Sequence, residues 1–309
     1  MKNLVLFLFL FSIGHAFANR VDELKTDNDV ASFIMSIGKN FHKKDDRSFI
    51  VKPAEDIIKA FSCDSNINIY QLKNWEKIDV NNDGLMDLFV IGYWGDGDYL
   101  SLVAIDIGNN KFKLVSLNYG LFLECQVAQV YKEGTLPLFL FHSKKLDYNP
   151  TEKRLYMQKE VPATDTLIYK FDSFVERNKS PSVYEIQTIK FETGRCFGEC
   201  PVYSIEFNKT GPVTYIAGMY SPREGTFISY ISPTKRKEIY DLLNYISVKK
   251  LKDDYEVDWT DDATCWLTVT FSDGSVKKIK DYGEIGTFGL RSIYALFTEM
   301  RDKEDWREQ

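Results

Sequence analysis

The sequence predicts an α+β protein of two domains, each a mainly antiparallel sheet with packed helices. Three observations carry this. An apolar leader at 1–18 leaves most of the 309 residues for the working chain, which is long for one core and suits two domains of about 150 residues each. The 22 Phe, 18 Tyr and 5 Trp are spread through short alternating segments, as half-buried strands require. Segments with helical spacing and caps interrupt those strands in both halves.

The leader has a short positive start at Met1 and Lys2, an apolar run at 4–14, and a small–x–small end at Ala16-Phe17-Ala18. This is the pattern of a signal peptide cleaved before Asn19. The run is shorter than the roughly 20 apolar residues of a spanning helix. The sequence therefore predicts a periplasmic or secreted protein, with an N-terminal domain at 19–174 and a C-terminal domain at 183–309.

A first helix is predicted over 28–39, capped by Asp27 or Asn28, with Val30, Phe33, Ile34 and Ile37 on one face. A second fits 53–61, where Pro53 suits the first turn and Glu55 and Asp56 favour its positive end. Strands are expected at 67–78, 87–94, 99–106, 111–118, 120–131 and 136–143, with Asn109-Asn110 as a hairpin turn. The polar stretch at 144–163 carries Pro150 and Pro162 and reads as a connection; a strand at 166–171 follows. The domain boundary is placed in this proline-containing region, which ends with 175–182.

The second half opens with strands at 183–192, 201–207, 212–218 and 225–231. A helix over 233–247 has Ser232 as cap, Pro233 at its first position, and a stripe of Ile239, Leu242, Leu243 and Ile246. Strands at 264–271 and 275–281 are joined by Asp273-Gly274, a tight-turn signal. A last helix over 287–300 aligns Leu290, Ile293, Tyr294, Phe297 and Met300.

The net charge is −6, and more negative once Lys2 leaves, with no basic block; this argues against nucleic-acid binding. Only His42 and His142 remain beyond the leader, so histidine-based catalysis or a multi-histidine zinc site has few candidates.

Residues 79–87 read DVNNDGLMD. Asp79, Asn81, Asp83 and Asp87 stand at alternate positions, Gly84 permits a sharp bend, and Leu85 offers a carbonyl oxygen. Calcium takes several oxygen ligands of this type, so Ca2+ is expected as a structural cofactor. The alternative is a β-turn whose Asx side chains bond their own backbone. An EF-hand is excluded, because Val90 stands where its bidentate Glu belongs. The loop resembles the short calcium loops of integrin-type β-propeller repeats; with one copy, the propeller fold is not implied.

Five cysteines follow the leader: Cys63, Cys125, Cys196, Cys200 and Cys265. In an oxidising compartment disulfides are the default, and Cys196 with Cys200 in GRCFGECPVY is the first choice for a local bridge. Cys63 with Cys125 is a second pair, and Cys265 reads as a buried thiol. A redox role for Cys196 and Cys200 lacks the following helix that lowers a thiol pKa.

GRCFGECPVYSIEF, TDDATCWLTVTFSDG and DYGEIG together resemble an uncharacterised bacterial domain family with a C-F-G-x-C-P-x-Y signature, over about 183–300. The resemblance implies an exported small α+β module and assigns no activity. No catalytic residues are assigned. The reading is a non-catalytic binding or interaction protein of the bacterial envelope, meeting an envelope protein, a peptide or a glycan. The alternatives are a thiol–disulfide active protein using Cys196 and Cys200, or a carboxylate-dependent hydrolase using Asp258, Asp261 and Asp262 around Trp259.

Overall fold

The computed structural model of the chain describes residues 19–38, 48–60, 72–94, 99–119, 125–147 and 159–309. The leader, His42 and Cys63 lie outside these residues, as do the starts of the strands expected at 67–78 and 120–131.

The first helix, α1 (Asp27–Ile37), is capped one residue earlier than expected. Thr26 accepts from the amide of Asp29, and the Asp29 side chain reaches back to the Thr26 amide, a reciprocal capping box. After β1 (Phe49–Val51) and α2 (Ala54–Ala60) come β2 (Trp75–Ile78), β3 (Asp87–Trp94), β4 (Tyr99–Asp106) and β5 (Phe112–Ser116). These five strands form one antiparallel sheet in which β1 and β2 both pair with β3.

Side chains alternate across a strand, and β3 and β4 use both faces. Leu88, Val90, Leu102 and Ala104 pack under α1, while Phe89, Ile91, Val103 and Ile105 face a second sheet. That sheet is a four-stranded meander of β6 (Val127–Glu133), β7 (Leu136–Asp147), β8 (Lys159–Lys170) and β9 (Ser173–Glu176). Its Phe139, Phe141, Leu167 and Phe174 close the shared core. Each such fully buried side chain contributes roughly 1.5–3 kcal/mol.

The C-terminal part comprises β10 (Ile186–Thr193), β11 (Tyr203–Asn208), β12 (Val213–Ala217), β13 (Gly225–Ser229), α3 (Pro233–Tyr245), β14 (Asp254–Glu256), β15 (Thr264–Phe271), β16 (Val276–Tyr282), α4 (Phe288–Lys303) and β17 (Arg307–Glu308). Its eight strands run in the order β14-β16-β15-β10-β11-β12-β13-β17, antiparallel except for the parallel β14–β16 pair. Alternate residues such as Phe191, Ile205 and Leu267 face α3 and α4, leaving the opposite sheet face to solvent. Ser232 caps α3 through the Lys235 amide with Pro233 in the first turn, as expected.

The α+β expectation is overturned. The described residues are 42% strand and 20% helix in three sheets, so the protein is mainly β. Two features account for the difference. The polar stretch at 144–163 was expected as a connection, yet both its ends extend the β7–β8 ladder, in which Lys144 opposes Pro162. Short edge strands β1, β14 and β17 also have no apolar alternation of their own; backbone pairing to a neighbouring strand makes them. Among the described residues no helix is long and apolar enough to cross a membrane.

The halves are joined by more than chain continuity. Glu176, at the end of β9, accepts from the amides of Phe288 (2.6 Å) and Gly289 (2.9 Å) in the first turn of α4. Those amides have no partner within the helix, and a carboxylate there also complements the helix dipole. Phe288 packs edge-on against both Tyr119 and Phe141, at centroid distances of 5.4 and 5.1 Å, and completes a three-ring cluster with them. Asn178 then bonds the Tyr245 carbonyl and the Ser247 hydroxyl beyond α3. Glu176→Ala is expected to lower the unfolding free energy by about 2 kcal/mol in urea titration. Glu185→Ala, which removes an exposed pairing with Lys209, serves as the near-neutral control.

Candidate functional site

A cleft of about 290 Å³ opens where the meander meets the C-terminal part. One wall comprises Tyr119, Lys145 of β7, and Ala163 and Asp165 of β8; the other comprises Tyr255 of β14 and the 285–288 segment that leads into the first turn of α4. Its size is close to the lower end of small-ligand pockets.

Each wall is fixed by side chains bonding to backbone. The Gln126 amide accepts from the Tyr119 N–H at 2.7 Å and donates to the Tyr119 carbonyl at 2.5 Å. Opposite, Asp281 of β16 is fully buried and accepts from the amides of Ile285 (2.8 Å) and Gly286 (3.0 Å). A Cβ on Gly286 would stand 2.5 Å from the Asp281 Oδ2, so glycine is needed for this approach.

Behind the cleft, the Arg291 guanidinium lies 3.6 Å from the Tyr119 ring centroid and 4.1 Å from that of Phe288. These are cation–π distances. Its Nε and Nη2 are closed off from solvent and have no hydrogen-bond partner among the described residues. Burial pushes its pKa down, while Tyr119 and Glu176 act in the other direction; an arginine remains charged in any case. Asp165 accepts from Lys145 at 2.7 Å through Oδ1, while its Oδ2 is likewise buried with no hydrogen-bond partner among the described residues. Buried polar groups of this kind ordinarily meet a protein group, a water or a ligand. His142 on β7 bonds Thr164 at 2.9 Å, and burial lowers its pKa, which favours the neutral ring.

The sequence-predicted loop at 79–87 lies elsewhere, at the β2–β3 turn. Asp79 accepts from the amides of Asp83 (3.2 Å) and Gly84 (2.9 Å). Asn81 accepts from the Asp83 amide and donates to its Oδ2, and Asp83 Oδ1 accepts from the Leu85 amide. Gly84, at φ +88°, makes the bend. Asp79, Asn81 and Asp83 thus share one exposed turn with Leu85. Asp87 does not join them: it is fully buried and bonds the amides of Val80 (2.8 Å) and Asp106 (2.7 Å). Burial pushes its carboxyl up to about 7. Among the described residues no group of three or more His, Cys, Asp or Glu side chains is placed to hold a metal ion.

Cys196 and Cys200 are joined in the β10–β11 loop, with Cα atoms 5.7 Å apart. The loop leads into a strand rather than a helix, and Phe197 bonds the Asp261 carbonyl. Cys125 is also disulfide-bonded; its expected partner, Cys63, lies outside the described residues. Cys265 is free and buried beside Glu284, where desolvation first and that carboxylate second push its thiol well above the ordinary range. Of the acidic trio, Asp262 accepts from the Trp259 indole N–H at 2.5 Å.

Residues 187–301 match the family model of a domain of unknown function (DUF6438). This agrees with the extent of the resemblance seen in the sequence. No curated protein and no solved structure matches the chain. The matched segment runs from β10 into α4, so it supplies the cleft residues Tyr255 and Phe288, with Arg291 behind them, while Tyr119, Asp165 and Glu176 come from outside it.

Sequence reasoning missed the cleft. Its residues come from distant strands, and the one local signal was Arg291, set inside an otherwise apolar helical stripe between Leu290 and Ile293. The Asp281 anchor makes a pH prediction. Its carboxyl is raised from 3.8 to about 6 by burial, against the pull of the Gly286 and Ile285 amides. The folded state therefore holds an extra proton between pH 4 and 6, and this contribution is present at pH 4 and lost as pH rises through 6. The rise is worth up to about 3 kcal/mol. Urea titrations should show wild type losing stability from pH 4 to 6 more steeply than Asp281→Asn; parallel profiles contradict the assignment.

Proposed function

We propose that this chain is an exported, non-catalytic binding protein of the bacterial envelope, which holds a small ligand, or part of a peptide or glycan, in the cleft between its two halves. The observation that carries this reading is Arg291, packed behind the cleft residues Tyr119 and Phe288, whose buried Nε and Nη2 have no hydrogen-bond partner among the described residues. An unmatched charged donor is costly unless something polar reaches it. The cleft carboxylates favour binding over hydrolysis: Glu176 holds two helix amides and Asp165 is paired with Lys145. Export is supported by the leader pattern of 1–18 and by disulfide use at Cys196–Cys200. The C-F-G-x-C-P-x-Y signature around that bridge gives the same reading.

Thermal shift of the mature protein against defined peptides and cell-wall glycan fragments tests the proposal. A ligand should raise the melting temperature of wild type and leave Ala163→Trp, which fills the cleft, unmoved. Equal shifts in both proteins place binding elsewhere, and no shift across the panel removes the support for this ligand class.

A structural calcium ion belongs to the same reading. The loop at 79–87 resembles propeller-type calcium loops, and Asp79, Asn81 and Asp83 already converge on one turn, beside the Leu85 carbonyl. Asp87 would act by holding the base of the loop through Val80 and Asp106. Calorimetric titration with calcium chloride should give binding heat for wild type and none for Asp83→Ala. Indistinguishable traces remove the cation.

A further inference from the structure

Asn19 is seated far more firmly than a chain-end residue needs to be. It is 7% exposed, and its side chain uses its full hydrogen-bonding capacity. Nδ2 donates to the Met86 carbonyl (2.6 Å) and to Asp106 Oδ2 (2.8 Å); Oδ1 accepts from the amides of Val21 (2.9 Å) and Asp22 (3.1 Å). Its backbone nitrogen lies 2.9 Å from the Asp22 Oδ2. Val21, fully buried, and Leu24 then pack into the core beneath α1.

The bonds continue inward. Asp106, which holds Asn19, donates its amide to Asp87 Oδ1, and Asp87 Oδ2 accepts from the Val80 amide at the base of the 79–87 loop. The Met86 carbonyl held by Asn19 belongs to the last turn of that loop. The Asn19 side chain is thus one end of a hydrogen-bonded path into the β2–β3 turn, and the backbone nitrogen of the same residue is held at Asp22.

We propose that the amino group freed by cleavage between Ala18 and Asn19 is a structural cation that locks onto Asp22 and ties export processing to the order of the 79–87 loop. Hydrolysis of that peptide bond by a signal peptidase adds one water: the carboxyl group leaves with Ala18 and the amine stays on Asn19, where it takes up a proton near neutral pH. The single N–H donor becomes an ammonium carrying three protons and a full positive charge, at hydrogen-bond distance from a carboxylate. Charge-assisted bonds of this type are about twice as strong as neutral ones. Nearby positive charges are already engaged: Lys77 bonds the Asp22 carbonyl, and Arg20 bonds Ser36 and lies over the Phe33 ring.

The inference rests on the export reading, and two measurements separate them. Intact mass of the protein exported from its full-length precursor should give a chain beginning at Asn19; another terminus, or an uncut chain, overturns the proposal and the leader reading together. Next, mature protein beginning at Asn19 is compared with the same chain carrying one extra glycine before it, each with and without Asp22→Asn. The extra residue displaces the ammonium and should lower the melting temperature by about 2 °C or more. In the Asp22→Asn background that loss should be much smaller. Equal melting temperatures, or an equal loss in both backgrounds, overturn the lock while leaving export standing.

Discussion

The Glu176 carboxylate on the first turn of α4 is the constraint on which the joint of this molecule depends. A sheet edge and a helix start each leave backbone groups without partners. Glu176 is the last residue of β9 and takes up two α4 amides with one side chain. Once α4 is held there, Phe288 packs against Tyr119 and Phe141 in the core of the N-terminal half, while Leu290, Ile293 and Phe297 remain in the core of the C-terminal half. One helix thereby belongs to two cores. The two halves do not form a pair of independent beads, and the cleft beside α4 has walls whose relative position is set by this contact.

The cleft follows from the same geometry. Its backbone edges are held by side-chain anchors, Gln126 on one wall and Asp281 on the other. Such anchors position Tyr119 and the 285–288 segment without help from a ligand. Arg291 departs from that pattern. Its charge lies against two rings, and two of its nitrogens have no hydrogen-bond partner among the described residues. A site where local consistency fails is where function is expected, because selection for stability alone favours removing the defect.

Much was legible locally. Both C-terminal helices, the Ser232 cap and the Cys196–Cys200 bridge could be read from residues within a few positions of one another, since caps, periodicity and short loops are local physics. Other features depended on distant partners. The β7–β8 ladder absorbed polar residues and Pro162, and β14 and β17 exist because β16 and β13 present unpaired edges. The loop at 79–87 shows the divide within nine residues. Its turn at Asp79, Asn81 and Asp83 was visible in the spacing, but Asp87 turned inward because a strand residue at that register faces the core and meets the amide of Asp106 across the sheet.

By itself the sequence determined the local bridge, the extent of the C-terminal module and the positions of most strands and helices, all governed by interactions between near neighbours. Tertiary structure alone decided the mainly β class, the assignment of Asp87 to the base of its loop, the sharing of α4 between two cores and the existence of the cleft. The physical reason is common to all four. Each depends on which backbone edge or side chain arrives from far along the chain, and neither spacing nor composition carries that information.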